Sequence, residues 1–340
     1  MKQFARVAGF VVLLVVFITG CDAQKGFPVL KGPYLGQRLP GLTPEMFAPG
    51  IVSTGMFTRD IAMTPDGTEL YFCSVVGQYT YSAIIVTRLV GERWTSPEVA
   101  PFSADPSSKT IEPCISPDGK RFFFASNRRT AGKEPSDSDF DVWVMERTAE
   151  GWGEPYNLGS PVNTAEGEYF PSVTNDGTLY FTRSRRDGSN DIYRSRFING
   201  SYTEPQKLPD RVNCGRAQYN AFIAPDESYI IVPVFGREDS RGQTDYYIVF
   251  RNSDDTWSEP VNMGETINTK ANEEYSPFVS RDGKYFFFMS PGRNSDAFRP
   301  GEQMTYTKLL ELHNRPGSGN PSVYWVDAKI IENLKPKGVR

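Results

Sequence analysis

The sequence is poor in histidine and cysteine, and this scarcity excludes several kinds of site. His313 is the single histidine of 340 residues. A histidine-rich metal site therefore cannot form, and a Ser-His-Asp triad would have to use this one residue. Apart from Cys21, the cysteines are Cys73, Cys114 and Cys214, an odd number that does not indicate a disulfide framework. We expect all three to be small buried apolar side chains, with Cys73 and Cys114 the one pair that could lie close together.

Common motifs for a catalytic nucleophile, for nucleotide binding and for metal binding are also missing from the sequence. It contains no Gly-x-Ser-x-Gly elbow, no Walker loop and no Cys-x-x-Cys pair. The run Asp137-Ser138-Asp139-Phe140-Asp141 begins like a calcium loop, but Val142 stands where such a loop needs glycine and no glutamate closes it. We therefore predict no cofactor and no metal site.

Positive charge is not in excess, with a formal net charge of -4. Phosphate binding along a nucleic acid needs a basic stripe, so we do not expect a nucleic-acid partner. Aromatic residues make up 13% of the chain, and 30 glycines with 26 prolines indicate many turns rather than long helices. A chain of this length can bury a large core in one all-β domain or in two smaller domains.

The one long apolar run lies at the N-terminus. Lys2 and Arg6 precede an apolar stretch over residues 7–18, which is short for a membrane span of about 20 residues. Ile18-Thr19-Gly20-Cys21 resembles the lipobox of bacterial lipoproteins, and the resemblance implies that Cys21 is acylated and becomes the first mature residue. An ordinary signal peptide or an uncleaved anchor helix is the alternative. We predict a signal peptide over 1–20, a tether over 21–40 and one domain over 41–340.

A turn rich in aspartate and glycine recurs five times along that domain. An aromatic and apolar run follows each copy, which is the strongest short-range signal for a β-hairpin. The successive turn aspartates are 52, 58, 50 and 56 residues apart, and they are Asp66, Asp118, Asp176, Asp226 and Asp282.

A second marker, an aromatic residue followed three positions later by proline, ends four of the five units. Proline cannot donate to a central ladder, so these segments belong near an edge strand. The markers begin at Trp94, Trp152, Tyr202 and Trp257. A further strand lies between the two markers, and four strands in about 50–58 residues are typical of a β-propeller blade.

The repeat count predicts how the ring closes. The last unit ends without its outermost strand, while Pro44-Glu45-Met46-Phe47-Ala48-Pro49 at the front is similar to Pro97-Glu98-Val99-Ala100-Pro101. We therefore predict that residues 44–53 complete the last blade, which leaves no long unpaired edge. Five blades fit the count, and six would need a degenerate repeat.

The run Ser-Pro-Asp-Gly-Lys-Arg-Phe-Phe-Phe-Ala-Ser-Asn-Arg at 116–128 resembles the TolB-type, WD-like propeller repeat. The Asn-Leu-Gly to Val-Asn-Thr segment at 157–164 and its copy at 261–269 resemble it as well. The resemblance covers roughly residues 55–335. It implies a propeller of the bacterial cell envelope, a family that contains binding proteins and some enzymes.

Polar residues shortly before the turns are candidates for a site in the central channel, which the innermost strands of a propeller line. They could recognise a ligand, act as acid and base on a glycosidic bond, or only keep the channel hydrated. These candidates are Asp60, Glu112, Glu168, Asn220 and Glu274. Arginines after the second strand of each unit could bind an anion, although such arginines are more often paired with nearby Asp and Glu. The arginine candidates are Arg128, Arg185, Arg237 and Arg293.

We therefore expect a lipid-anchored, five-bladed propeller that binds or scaffolds an envelope protein or a glycan and contacts the membrane only through its acyl group. A glycoside hydrolase or lyase with carboxylates in the central funnel is the alternative function.

Overall fold

Each of the five aspartate turns closes a β-hairpin. In the first, the Asp66 carboxylate accepts hydrogen bonds from Thr64 Oγ1 at 2.6 Å and from the Thr68 amide at 3.0 Å. Gly67 lies in the left-handed region with φ of 69°, which glycine adopts without steric cost. These hairpins form the inner half of each sheet.

The computed structural model describes residues 26–130, 139–185, 187–271, 273–291 and 301–337. Five small antiparallel sheets are arranged as a five-bladed β-propeller, which confirms the fold and the number of blades. The chain begins with a 3-10 turn over Tyr34–Gly36 and strand β1 (Glu45–Met46).

The strands follow in chain order. Blade 1 contains β2 (Phe57–Met63), β3 (Glu69–Val76), β4 (Tyr81–Val90), β5 (Arg93–Trp94) and β6 (Glu98–Val99), followed by a 3-10 turn over Pro101–Ser103. Blade 2 contains β7 (Thr110–Ile115), β8 (Arg121–Ser126), β9 (Asp141–Thr148), β10 (Gly151–Trp152) and β11 (Tyr156–Asn157). Blade 3 contains β12 (Gly167–Val173), β13 (Leu179–Ser184), β14 (Asn190–Ser195), β15 (Phe197–Ile198), β16 (Ser201–Tyr202) and β17 (Gln206–Lys207).

Blades 4 and 5 complete the ring. Blade 4 contains β18 (Ala217–Gln218), β19 (Phe222–Ile223), β20 (Tyr229–Phe235), β21 (Thr244–Phe250) and β22 (Val261–Asn262). Blade 5 contains β23 (Tyr275–Val279), β24 (Tyr285–Ser290) and β25 (Ser322–Asp327), with helix α1 (Tyr306–Asn314) between its last two strands and helix α2 (Lys329–Asn333) after them. The innermost strand of each blade runs toward the hairpin turn. The turns therefore lie on one face of the ring, called the turn face below.

The N-terminal strand β1 is the outermost strand of blade 5, as predicted. Glu45 and Met46 pair antiparallel with Trp325 and Tyr324 of β25. The Phe47 amide then donates to the Val323 carbonyl at 2.8 Å. The Phe47 ring is fully buried, and its centroid is 5.1 Å from the centroids of both Phe287 and Trp325. Closure thus combines strand pairing with aromatic packing.

In blades 2 to 5, a polar side chain from the loop after the outer strand bonds both the amide and the carbonyl of one residue in the third strand, a contact that we call a clamp. In blade 2, Asn163 Oδ1 accepts from the Val142 amide and Asn163 Nδ2 donates to the Val142 carbonyl, both at 2.9 Å. Asn213 and Asn268 repeat this pair of bonds in blades 3 and 4. In blade 5 the equivalent clamp is Ser53, which bonds both polar backbone groups of Val323 at 3.1 Å. The segment over residues 44–53 therefore provides both the outer strand and the clamp of the last blade.

Part of the predicted tether packs against the propeller. Trp94 Nε1 donates to the Gly32 carbonyl at 2.7 Å, and the Trp94 amide donates to the Leu30 carbonyl at 3.0 Å. Leu35 is buried, and the Tyr34 ring lies 5.1 Å from the Tyr285 ring on the turn face. The predicted signal peptide and Cys21 lie outside the described residues.

Cys73, Cys114 and Cys214 are free thiols, and Cys73 is fully buried. Burial raises the pKa of the Cys73 thiol well above its usual value, which disfavours the nucleophilic thiolate form. No helix within the described ranges is long and apolar enough to cross a bilayer.

Candidate functional site

The innermost strand of every blade carries a residue with a left-handed backbone at the same height along the propeller axis. In four of the blades the ladder shifts register at this residue, as at a β-bulge; in blade 4 it falls in the gap between β18 and β19. A positive φ is costly for residues other than glycine, so five equivalent cases indicate that closure at the narrow centre imposes the conformation. The residues, with φ between 50° and 64°, are Asp60, Glu112, Phe170, Asn220 and Ser276.

The bulge carboxylates link neighbouring blades. Asp60 Oδ2 accepts the amide of Glu112, the bulge residue of the next blade, at 3.3 Å. Glu112 Oε2 in turn accepts the amide of Phe170, the bulge residue of blade 3, at 2.7 Å. Asn220 Nδ2 reaches across the axis to Glu112 Oε1 at 3.1 Å. The structure thus brings Asp60, Glu112 and Asn220 of the predicted set together at the centre.

Arg59 completes this buried charge cluster. Its guanidinium donates to Asp60 at 2.9 Å, to Glu112 at 2.6 Å and to the Tyr79 hydroxyl at 2.5 Å. It also lies 4.6 Å from the centre of the Tyr275 ring, within the range of a cation–π contact. Burial opposes the charge of Arg59, but Asp60, Tyr79 and Glu112 raise its pKa well above the usual value. Arg59 therefore remains a cation.

Glu112, unlike Arg59, can change its protonation state near neutral pH. Burial raises the pKa of the Glu112 carboxyl to about 7. Arg59 and the donors from Phe170 and Asn220 act against this effect, while Asp60 adds to it. Loss of the Glu112 proton therefore adds one negative charge to this buried cluster.

Glu168 and Glu274 lie elsewhere, two residues before the bulge of their blades. Both are fully buried. Glu168 accepts the Thr164 amide at 2.9 Å and Arg183 Nε at 2.8 Å. Glu274 accepts the Thr269 amide at 2.9 Å and the Ser290 hydroxyl at 2.7 Å. Each glutamate holds the preceding inter-blade loop, and neither lines the pocket described next.

A pocket of about 440 Å³ opens above the charge cluster, on the face opposite the turns. One residue from each innermost strand, directly before the bulge, contributes to its wall: Arg59, Ile111, Tyr169, Tyr219 and Tyr275. Tyr79, Phe140, Asn190 and Glu273 add to the rim. We call this space the central pocket. Sequence reasoning had not singled out its aromatic wall.

Hydroxyl and amide groups around the rim of the central pocket hold one another in place. The Tyr169 hydroxyl donates to Asn190 Oδ1 at 3.1 Å. The hydroxyls of Tyr219 and Thr244 are 2.8 Å apart, and those of Tyr79 and Tyr275 are 3.3 Å apart. These bonds fix the ring orientations, so the wall is organised before any ligand arrives.

The axis is filled on the turn-face side of the pocket. Apolar side chains of the innermost strands leave a space of only about 30 Å³ there, among Pro113, Pro171, Pro277, Phe222 and Phe278. Arg281 crosses the axis and donates to the Ile115 carbonyl. In the part of the chain that the structure describes, the central pocket is therefore a blind cavity.

The predicted ring of arginines is largely engaged in internal contacts. The predicted residues were Arg128, Arg185, Arg237 and Arg293. Arg128 donates to the Phe102 carbonyl at 2.7 Å and lies over the Trp143 ring. Arg237 donates to the Cys214 carbonyl and pairs with Asp239, and Arg185 pairs with Asp191. Arg293 lies outside the described residues. Arg128 and Arg237 thus hold loops between blades, whereas Arg185 pairs within blade 3. Anion binding by these arginines stays a prediction.

Within the described ranges, no three or more His, Cys, Asp or Glu side chains are grouped in a way that could hold a metal ion. Asp137 and Ser138 of the calcium-like run lie outside those ranges.

No family model and no curated protein sequence matches the chain. Among solved structures it is similar to TolB from Acinetobacter baumannii, with 16% identity over 80% of this chain and 57% of that chain and a TM-score of 0.46. A putative TolB from Agrobacterium tumefaciens is 16% identical over 80% of this chain and 90% of that chain, with a TM-score of 0.47. An N-acetylgalactosamine deacetylase from F. plautii, in complex with blood group B trisaccharide, is 10% identical over 90% of this chain and 97% of that chain, with a TM-score of 0.50. This chain thus spans little more than half of the Acinetobacter TolB chain. The expected likeness to TolB-type propellers is found, and at these identities it concerns the fold alone.

Proposed function

We propose that this protein is a non-catalytic binding module and that the central pocket receives a sugar residue of a glycan. The observation that carries the proposal is the aromatic wall, with Tyr79, Tyr169, Tyr219 and Tyr275 around one blind pocket. A sugar ring has apolar C–H faces that pack on aromatic rings, and hydroxyls at its edge that need donors and acceptors. The rim supplies both through its tyrosine hydroxyls and Asn190.

The engagement of the carboxylates supports binding rather than hydrolysis. A glycosidase needs two carboxyl groups that flank the scissile bond and can reach it. Asp60 and Glu112 instead converge on one guanidinium beneath the tyrosines, and each side chain is only 2% exposed. Glu112 uses both oxygens for internal hydrogen bonds. Glu112 contributes to the pocket floor, where it is almost fully covered, and Glu273 is the one exposed carboxylate among the described lining residues.

A glycan array, followed by calorimetry with the best-bound sugar, tests this function. We expect Tyr169→Ala and Tyr219→Ala each to weaken sugar binding at least tenfold without abolishing folding. Tyr156→Ala is the matched control, because Tyr156 is 47% exposed on an outermost strand, away from the pocket. Binding that both pocket variants retain, or an array without any bound glycan, would refute the proposal. A protein captured equally by all three variants would indicate a different surface.

We also propose that the protein is held in the bacterial cell envelope by a lipid on Cys21. The support is the order of charge, apolar run and Ile-Thr-Gly-Cys in the sequence. Mass spectrometry of the mature N-terminus measures the acyl group directly. Cys21→Ser should release the protein from the membrane fraction, and a variant that stays membrane-bound would contradict this anchor.

A further inference from the structure

A second cavity, of about 630 Å³, lies beside the central pocket. Residues 54–57 at the entry to blade 1 and residues 75–79 around its second hairpin form one side. His313 and Asn314, at the C-terminal end of helix α1, form the other side with Asn320. We call this cavity the lateral groove.

The two cavities adjoin each other. Tyr79 and Glu273 line both the central pocket and the lateral groove. A ligand seated between the tyrosines could therefore continue outward over the boundary of blades 5 and 1. Each volume alone falls in the range of about 300–1,000 Å³ found for small-molecule sites, so the two together suit a longer ligand.

One wall of the lateral groove depends on close contact between the backbone at Gly55 and the end of helix α1. At Gly55, a Cβ atom would lie 2.3 Å from the His313 carbonyl oxygen, so only glycine lets the end of helix α1 sit there. Asn320 Nδ2 donates to the Gly55 carbonyl at 2.8 Å and ties the returning chain to the same loop. The opposite wall turns sharply, with positive φ at Gln78 and Tyr79. One wall of the groove therefore requires glycine at position 55, and the other contains two residues in a strained backbone conformation.

The groove has the mixed surface that a sugar chain needs. Met56 and Val76 are 45% and 51% exposed and give apolar contact area. Exposed Gln78, His313 and Asn314 give amide and imidazole groups. This alternation of apolar and hydrogen-bonding groups continues the character of the central pocket.

Resting on the proposed function, we infer that the lateral groove binds the second and following sugar residues of the same glycan. The protein would then recognise an oligosaccharide chain, with one residue in the central pocket and the others between blade 1 and helix α1. Affinity should rise with chain length, since each filled part of the groove adds contacts.

The single histidine offers a specific readout for groove occupancy. The full chain in detergent, without a histidine tag, has one imidazole, so NMR of the His313 ring shows one set of signals. Two probe series are titrated, N-acetylglucosamine oligomers and α-1,4-linked glucose oligomers of one to six residues. We expect the monosaccharide of the bound series to leave the His313 signals in place and the longer members to shift them.

A double variant, Met56→Arg with Val76→Arg, separates this inference from the proposed function. It should lower affinity for the longer oligomers at least tenfold and leave monosaccharide affinity unchanged, whereas Tyr169→Ala should weaken both. Monosaccharide binding with no gain from chain length and no His313 shift would overturn the lateral groove alone. No binding of either series to the unmodified chain would count against the glycan function itself.

Discussion

At the scale of single residues, the centre of the propeller depends on one buried cation between two carboxylates. Arg59 is 4% exposed and uses all three nitrogens. Such clusters contribute little net stability when complete, but losing one partner leaves a buried charge uncompensated. Arg59 therefore has to be considered together with Asp60 and Glu112.

Arg59→Leu should lower the free energy of unfolding by about 3–5 kcal/mol, because it leaves Asp60 and Glu112 buried without their cation. Urea denaturation of the variant and the unmodified chain measures the difference. Arg38→Leu is the control, since the Arg38 side chain is 84% exposed in its pair with Glu45 and its loss should change stability by less than about 1 kcal/mol. Equal effects of the two variants would contradict a buried charge cluster.

Glu112 should make the stability depend on pH in a definite direction. Burial raises its pKa in the folded protein from 4.5 to about 7. The folded state then binds more protons than the unfolded state between these values, so this group's contribution to stability falls as pH rises from about 4.5 to 7. The difference in unfolding free energy between the unmodified chain and Glu112→Gln should decrease over that interval. A flat difference would show that the carboxyl titrates normally.

Offsets within each repeat explain which central residues the sequence could predict. In every blade, the residue with the left-handed backbone lies six positions before the turn aspartate. These residues are Asp60, Glu112, Phe170, Asn220 and Ser276. Glu168 and Glu274 lie eight residues before their turn aspartates and therefore do not occupy this position. The tyrosines directly before the bulges could have been found by the same offset. Their ring orientations could not, because these depend on hydrogen bonds to residues distant in sequence, within a blade for Tyr169 and Tyr219 and between blades for Tyr275.

At the scale of strands and loops, the same asparagine contact recurs in blades 2, 3 and 4. A buried asparagine that bonds both polar groups of one backbone residue fixes the third strand to the loop after the fourth. Asparagine suits this position because its side chain carries an acceptor and a donor, like the peptide group it pairs with. The hairpin turns were predictable because aspartate and glycine act locally, whereas the clamps join residues 21 or 22 positions apart.

Asn213→Ala should reduce the free energy of unfolding by about 1–3 kcal/mol, since the Ile192 amide and the Ile192 and Leu208 carbonyls lose a partner. Asn213→Asp is the informative companion variant, because it keeps the acceptor but removes both donated bonds. Asn252→Ala, in an exposed turn, serves as the control. Thermal unfolding that places Asn213→Ala level with this control would show that the clamp adds no stability.

At the scale of the whole molecule, five blades close through a segment from the other end of the chain. The first strand, a clamping serine and a buried phenylalanine of that segment all enter blade 5. This placement was predictable because the last repeat lacks an outermost strand, while residues 44–49, before the first repeat, are similar to the segment at 97–101. The insertion that carries helix α1 was not, because it has no counterpart in the other repeats.

Phe47→Ala should cost about 3–5 kcal/mol, the usual effect of removing a large buried aromatic side chain. Because Phe47 lies at the ring closure, we expect one cooperative transition at lower temperature in calorimetry. A separate early transition of blade 5, with the other blades unaffected, would contradict cooperative closure. Leu39→Ala, at a 48% exposed position just before the first strand, is the control.

The pairing of β1 with β25 also determines when during biosynthesis the molecule can be completed. Residues 45–46 are synthesised well before their partners at 324–325, and the four preceding blades are made in between. Contacts so distant in sequence form late, since the loop between them must first be ordered. A growing chain can stack its early blades and yet remain an open arc. If the protein crosses the membrane unfolded, the ring stays open until the last strand of blade 5 has crossed.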